Sequence, residues 1–265
     1  MLKNLDKPIT TYFETRNIRV YKHIIWSMGE KQINVYLKKI HELNPNEKIV
    51  IFMVDDYEGM IQSYANQIIL RTSLNKTHML KNEIILPYIW ECSKTRFAPL
   101  PKTDLPIVSF CGIPTKYRIQ LIRKIQNNNK IKNNFILRQQ FWGGNPHNKQ
   151  IIQEFNDNIE NSHFVICNRG AGNFSMRLYQ TLAFGRIPLL LNTNMVFPFE
   201  NIIDYHNTFI IGNNEDEIIE KLLLWYNTKN IVEIQNKCYQ LYETFFKISN
   251  YAPHLYNEIQ NMLKS

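Results

Sequence analysis

An α/β fold built on parallel sheets is the architecture this sequence predicts, and three observations carry the prediction. Short apolar runs rich in Ile, Val, Leu and Phe recur along the 265 residues, and most are continuous, as strands buried on both faces require. Between them lie segments with the 3.6-residue period of amphipathic helices. The two kinds of segment alternate as in βαβ units, where each crossover helix covers the sheet.

The first helix is read in "EKQINVYLKKIHELN", where Ile33, Tyr36, Leu37, Ile40 and Leu43 share one face. "KIVIFMVDDYEG" follows as a buried strand running into Asp55, Asp56 and Glu58. "QIILR", "EIILPYI", "PIVSF", "NFILR", "HFVIC", "IPLLLN" and "TFIIG" are the later strands. Helices are expected near 115–127, 148–160, 175–184, 215–226, 230–246 and 250–263. "SKTRFAPLPKTDLP", residues 93–106, carries three prolines and little periodicity. It reads as a linker between an N-terminal lobe, 1–103, and a larger C-terminal lobe, 104–265, whose last helices pack back across both.

Composition narrows the partners. A formal charge of +8 suggests an anionic ligand, but the basic residues are dispersed and form no aromatic-and-basic stripe, so nucleic acid is not expected. No run approaches eighteen apolar residues, and "MLKNLDKPITTYFETRN" lacks the apolar region of a signal peptide. The expectation is a cytoplasmic protein with at most peripheral membrane association. Cys92, Cys111, Cys167 and Cys238 form no CxxC pair and no zinc spacing, and His147 and His206 stand alone. No metal site is expected. The acidic start of "NNEDEIIEKLLLWY" reads as a helix N-terminus favoured by the dipole.

One stretch carries most of the functional signal: "CNRGAGNFSMRLYQTLAFGRIPLLLN", residues 167–192. Its loop leaves the carboxyl end of a strand, with Ser175 placed to cap the next helix and Gly185 to stop it. Ligands of open α/β sheets sit beyond such strand ends, and a helix N-terminus offers free N–H groups to phosphate. Gly170 and Gly172 let backbone approach a ligand, while Arg169 and Arg177 supply guanidinium forks that suit a diphosphate. A tight turn with solvated arginines is the competing reading of the same residues.

Other candidates are spread along the chain. Asp56, with Asp55 and Glu58 beside it, is the first choice for a general base, because adjacent carboxylates raise one another's pKa. A solvated turn is the alternative. Gly112 closes "PIVSFC" with Lys116 and Arg118 nearby, and Arg138 ends another strand. Trp142, in "FWGG", reads first as a core aromatic and second as a ring that covers a base or sugar.

The segment "CNRGAGNFSMRLYQTLAFGRIPLLLNTNMVFPF" resembles the signature of exostosin-family glycosyltransferases, and "DLPIVSFCGIPTKYRIQLIRKI" and "ILRQQFWGG" resemble the family more weakly. The resemblance implies a GT-B arrangement of two Rossmann-like lobes facing a cleft, here with a reduced N-terminal lobe. It implies a nucleoside-diphosphate sugar, with UDP expected, held by the C-terminal lobe and transferred with inversion to a glycan acceptor on the N-terminal side. The donor contacts expected are Gly112, Arg138, Arg169, Gly170, Gly172, Asn173, Ser175, Arg177 and Gln180. Gln180 stands where the family usually has a glutamate for the ribose hydroxyls. No clear DxD pair is present, so transfer is expected to need no metal. A non-catalytic nucleotide-sugar or glycan-binding module is the alternative.

Overall fold

The computed structural model describes residue 13 and residues 19–23, 29–88 and 97–264. Two parallel sheets organise it. The N-terminal sheet comprises β1 (Arg19–His23), β2 (Ile49–Met53), β3 (Gln67–Arg71) and β4 (Glu83–Ile85), in that spatial order. Helix α1 (Glu30–Leu43) crosses from β1 to β2, whereas β2, β3 and β4 are joined by segments without helix. α1 buries Ile33, Leu37 and Ile40 against Ile49, Ile51, Met53 and Ile69 of the sheet. Each such side chain contributes about 1.5–3 kcal/mol on burial. The reduced lobe expected from the sequence is therefore a four-stranded sheet with one described crossover helix.

The C-terminal sheet holds β5 (Ile107–Gly112), β6 (Lys132–Leu137), β7 (Phe164–Ile166), β8 (Ile187–Leu191) and β9 (Ile210–Gly212), in the order β6-β5-β7-β8-β9. Its helices are α2 (Ile119–Gln126), α3 (Lys149–Glu160), α4 (Met176–Ala183) and α5 (Glu215–Thr228). The chain leaves β5 in one direction for β6, then returns past β5 to β7. The carboxyl ends of β5 and β7 thus flank a topological switch point.

Helices α6 (Ile231–Leu241) and α7 (Ile248–Lys264), joined by a π-turn at Tyr242–Phe246, complete the chain. Tyr251, Leu255 and Ile259 of α7 share one apolar cluster with Val50, Phe52, Ile68 and Leu70 of the N-terminal sheet and with the C-terminal core. Phe13 touches both Phe52 and Tyr256, with centroids 6.1 and 5.8 Å away. The last helix packs back across both lobes, as expected.

Several boundaries differ from the sequence reading. Strand β1 was not anticipated; it is an edge strand whose exposed Arg19 suits that position. β4 stops at Ile85, two residues before Pro87, which has no N–H for a ladder. Gly185, at φ +62°, stops α4 with two bonds of a Schellman motif, Gly185 N to Leu182 O and Arg186 N to Thr181 O. Arg186 is fully engaged, donating to Glu160 O, Phe184 O, Ala98 O and Gln235 Oε1, so it ties Ala98 to the end of α3 and to α6. Cys111, Cys167 and Cys238 are buried free thiols, while Cys92 lies outside the described residues. Among the described residues, no helix is long and apolar enough to cross a membrane.

Candidate functional site

A cavity of about 360 Å³ opens at the switch point, between the two lobes. Its C-terminal wall includes Gly112, Arg118, Arg138, Gly170, Arg177 and Gln180, and Asp56 and Tyr88 face it from the N-terminal lobe.

Two arginines are built into the crevice itself. β5 and β7 pair only at Val108–Phe164 and Ser109–Val165, and beyond that point they separate. Arg177, reaching back from the first turn of α4, donates Nη2 to Cys111 O at 2.6 Å and Nη1 to Ile166 O at 3.4 Å. Arg118 donates Nε to Asn168 O and Nη1 to Ile113 O, each at 3.2 Å, so it bridges the loops that follow the same strands. Both guanidinium groups pack on the Phe110 ring, at 4.4 Å for Arg177 and 5.6 Å for Arg118.

Among the described residues, neither arginine has a carboxylate partner within salt-bridge range, and the Arg177 Nε has no hydrogen-bond partner. Burial, and then the charge of Arg177, pulls the Arg118 guanidinium down to about 9; burial also lowers Arg177. Two cations held this close without an anion are destabilised, and a bound anion would relieve both.

The glycines have local reasons. Gly112 sits at φ +150°, and a Cβ there would lie 2.8 Å from Arg177 Nη2. A Cβ at Gly172 would meet Asp56 Oδ1 at 2.7 Å, so the absent side chain lets the two lobes' loops touch. Ser175 takes the N-cap position of α4 with β-region dihedrals, but its hydroxyl caps no N–H. Gln180 lines the cavity one turn along α4 from Arg177. Arg138 lines it too, paired with Glu154 at 2.8 Å and donating to Cys111 Sγ.

Two expected donor-site residues are otherwise engaged, and one aromatic is differently placed. Arg169 pairs with Glu58 at 2.7 Å, donates to Ala171 O at 2.9 Å and lies over the Tyr117 ring. Its charge is already matched by an acid from the opposite lobe. Asn173, fully buried, donates Nδ2 to Leu74 O and Thr193 O and receives Thr193 Oγ1, while its N–H reaches Ser73 Oγ. It staples the lobes together. Trp142, expected in the core, is 44% exposed and lines the cavity mouth.

The acidic loop separates into three roles. Asp56 is half-buried on the cavity wall; burial raises its carboxyl, against the Gly172 N–H and Arg169, which lower it. Asp55 is 2% exposed, and burial pushes it up to about 6 although Arg71 and the Tyr57 N–H oppose the shift. Its Oδ1 accepts from Tyr57 N and shapes the turn. Glu58 is held in the pair with Arg169. Sequence reasoning grouped the three because they are neighbours; only the fold gives them different surroundings. It also left Arg118 as one of two nearby bases, whereas the fold buries Arg118 and leaves Lys116 on the surface against Tyr117.

Residues 62–220, more than half of the chain and the part that contains most of this site, match the sequence profile of the Exostosin GT47 domain. The chain belongs to the exostosin family of glycosyltransferases. Over 95 residues this exostosin-family chain is 24% identical to the Exostosin-1 homolog of Caenorhabditis elegans, a match covering 36% of the chain and 25% of that relative. The match thus spans about a quarter of the relative's length. Among solved structures, a glycosyltransferase from Rickettsia africae superposes with a TM-score of 0.44 at 10% identity, covering 91% of this chain and 84% of that one. The wall teichoic acid polymerase TagF gives 0.28 at 10% identity, covering 100% and 96%. The two-lobed α/β architecture rests on the parallel sheets themselves.

A second cavity of about 510 Å³ lies beyond β8 and β9, lined by Asn192, Phe197, Glu200, Asp204 and His206, with Lys76 from the other lobe. Lys76 pairs with Glu200 at 2.7 Å. Its lining is mixed, with Glu200, Asp204, Asn192 and Asn201 among apolar residues, and among the described residues no arginine lines it, in contrast to the first.

Proposed function

We propose that the chain transfers a sugar from a nucleoside-diphosphate donor, UDP-linked, to a glycan hydroxyl with inversion. The observation that carries this reading is the pair of buried guanidinium groups, Arg118 and Arg177, which have no carboxylate partner among the described residues and sit at a switch-point cavity. A diphosphate there would neutralise both, with Gly112 and Gly170 permitting close backbone approach and Arg138 adding charge. Gln180 is placed on the same helix face to meet a ribose hydroxyl through a neutral hydrogen bond. Asp56 is the acceptor-side base, because it alone of the three acids lines the cavity.

Arginines rather than a metal would then stabilise the leaving diphosphate, so EDTA should leave turnover largely intact. Complete loss with EDTA, restored by manganese, would refute that part. The main test is calorimetric titration with UDP, GDP and CMP, followed by release of free nucleoside diphosphate from the sugar donor in the presence of an acceptor. Binding without release would favour the second reading, a nucleotide-sugar-binding module, which the amide at Gln180 supports.

A further inference from the structure

The cavity has an aromatic end that the diphosphate does not need. After β6 the chain turns through Phe141–Gly144, and three successive residues take left-handed backbone: Trp142 at φ +57°, Gly143 at +61° and Gly144 at +86°. Glycine adopts that conformation freely; tryptophan does so only with strain. The strained ring is not serving the core, since Trp142 is 44% and Phe141 71% exposed. Both line the cavity, and the apolar Ile151, Ile152 and Phe155 of α3 continue that wall. The turn is also held in place: a Cβ on Gly143 would lie 2.8 Å from Arg138 Nη1 and 2.9 Å from Ile151 Cγ2, so the backbone packs tightly on the cationic wall.

We infer that Phe141 and Trp142 form a nucleobase subsite, in which the Trp142 ring stacks on the base of the donor nucleotide. The inference rests on the donor reading above and extends it. The unpaired cations Arg118 and Arg177 gather at the β5 and β7 ends, whereas at the β6 end Arg138 is paired with Glu154 and flat apolar surface lies beside it. That polarity matches a ligand with an anionic diphosphate at one end and a planar heterocycle at the other. Backbone strain retained at a ligand-facing position is a recurrent feature of binding sites.

Trp142→Gly is the decisive variant, because glycine takes φ +57° without strain. It should remain folded, as its cooperative melting transition would show. Its affinity for the preferred nucleoside diphosphate, UDP or GDP, should fall on the order of ten- to a hundred-fold, the range of base–aromatic stacking. Affinity for inorganic pyrophosphate, which lacks a base, should stay at the parental value. Trp142→Phe should recover most of the loss. Equal weakening of pyrophosphate and nucleotide would show that the turn acts through Arg138, and would overturn the subsite. Parental nucleotide affinity in Trp142→Gly would overturn it as well, and a raised acceptor KM in that variant would assign the ring to the glycan instead. If the parental protein binds neither UDP, GDP nor pyrophosphate, the donor reading itself falls, and the subsite with it.

Discussion

In the N-terminal sheet each strand adds to the same edge, in the order β1-β2-β3-β4, whereas the C-terminal sheet turns back on itself between β5 and β7. Both are parallel and both hold nearly continuous buried apolar strands. The exception is β6, at an edge of the second sheet, which is half-buried or exposed throughout, so "NFILR" is not the buried run its residues suggested. Only the second has strand ends that separate, and Arg177 and Arg118 fill that gap with cations bonded to backbone on either side. Among the described residues the first sheet shows no such crevice; what it brings to the cavity wall is Asp56, on the loop that leaves β2. Topology thus gives the lobes unequal tasks: one holds charge in place, the other presents acids to it.

That division can be broken at four points, in order of expected effect. The largest concerns Asp56. If it takes the acceptor proton, Asp56→Asn should lower turnover by roughly 10²–10⁴-fold. Because Asp56 also rests against Gly172, donor affinity should shift by a small factor rather than stay fixed. Parental turnover in this variant would move the base elsewhere. Next is Arg118→Ala. Losing one charge-assisted contact of about 1.5–3 kcal/mol should weaken nucleoside-diphosphate binding on the order of ten- to a hundred-fold, read by calorimetry. Unchanged affinity in a folded protein would separate the crevice from the donor.

A smaller effect is expected where the lobes are tied. Glu58→Gln leaves the Arg169 guanidinium nearly buried beside a neutral amide, and should cost about 1–3 kcal/mol of stability in denaturant unfolding. Arg169→Ala combined with Glu58→Gln should cost less than the sum of the two single changes, as a double-mutant cycle would show. Strict additivity would mean that the pair does not couple the lobes.

The smallest effect is a pH dependence. Burial holds Asp55 at about 6, above its ordinary 3.8, so the folded chain binds a proton more readily than the unfolded one. The protonated form therefore favours folding at low pH, and stability from this group is lost as pH rises from about 4 to 6. Asp55→Asn, which keeps an acceptor for Tyr57 N–H, should gain up to roughly 2–3 kcal/mol at pH 7 and flatten that window. Glu258, raised to about 7 by burial, acts in the same direction and persists in both proteins. A parental profile unchanged by Asp55→Asn would assign the whole slope to other groups.

Some of this was legible in the residues. The apolar runs predicted the strands because burial on both faces leaves a compositional trace, and the Gly185 stop was readable because a left-handed C-terminal residue strongly favours glycine. The anion site was legible as a neighbourhood: glycines and arginines around the loop before α4. Which arginine would face the ligand was not. Arg169 and Arg177 look equivalent in sequence, but the first finds Glu58, 111 positions earlier, and the second finds only carbonyls. Trp142 was likewise misplaced, because the sequence of "FWGG" does not reveal that its tryptophan, as well as its glycines, turns left-handed.

The sequence by itself determined the alternation of strands and helices, their burial, the family, and the loop in which an anion would be sought. These depend on local periodicity and on residue types that tolerate particular backbone shapes. Tertiary structure alone decided which charges are neutralised. That depends on distances between residues far apart in the chain, and on the desolvation each group suffers there. Asp55 and Asp56 are adjacent in sequence, yet one is sealed beside Arg71 and the other looks into the cleft, because the bend that follows β2 packs them against different neighbours.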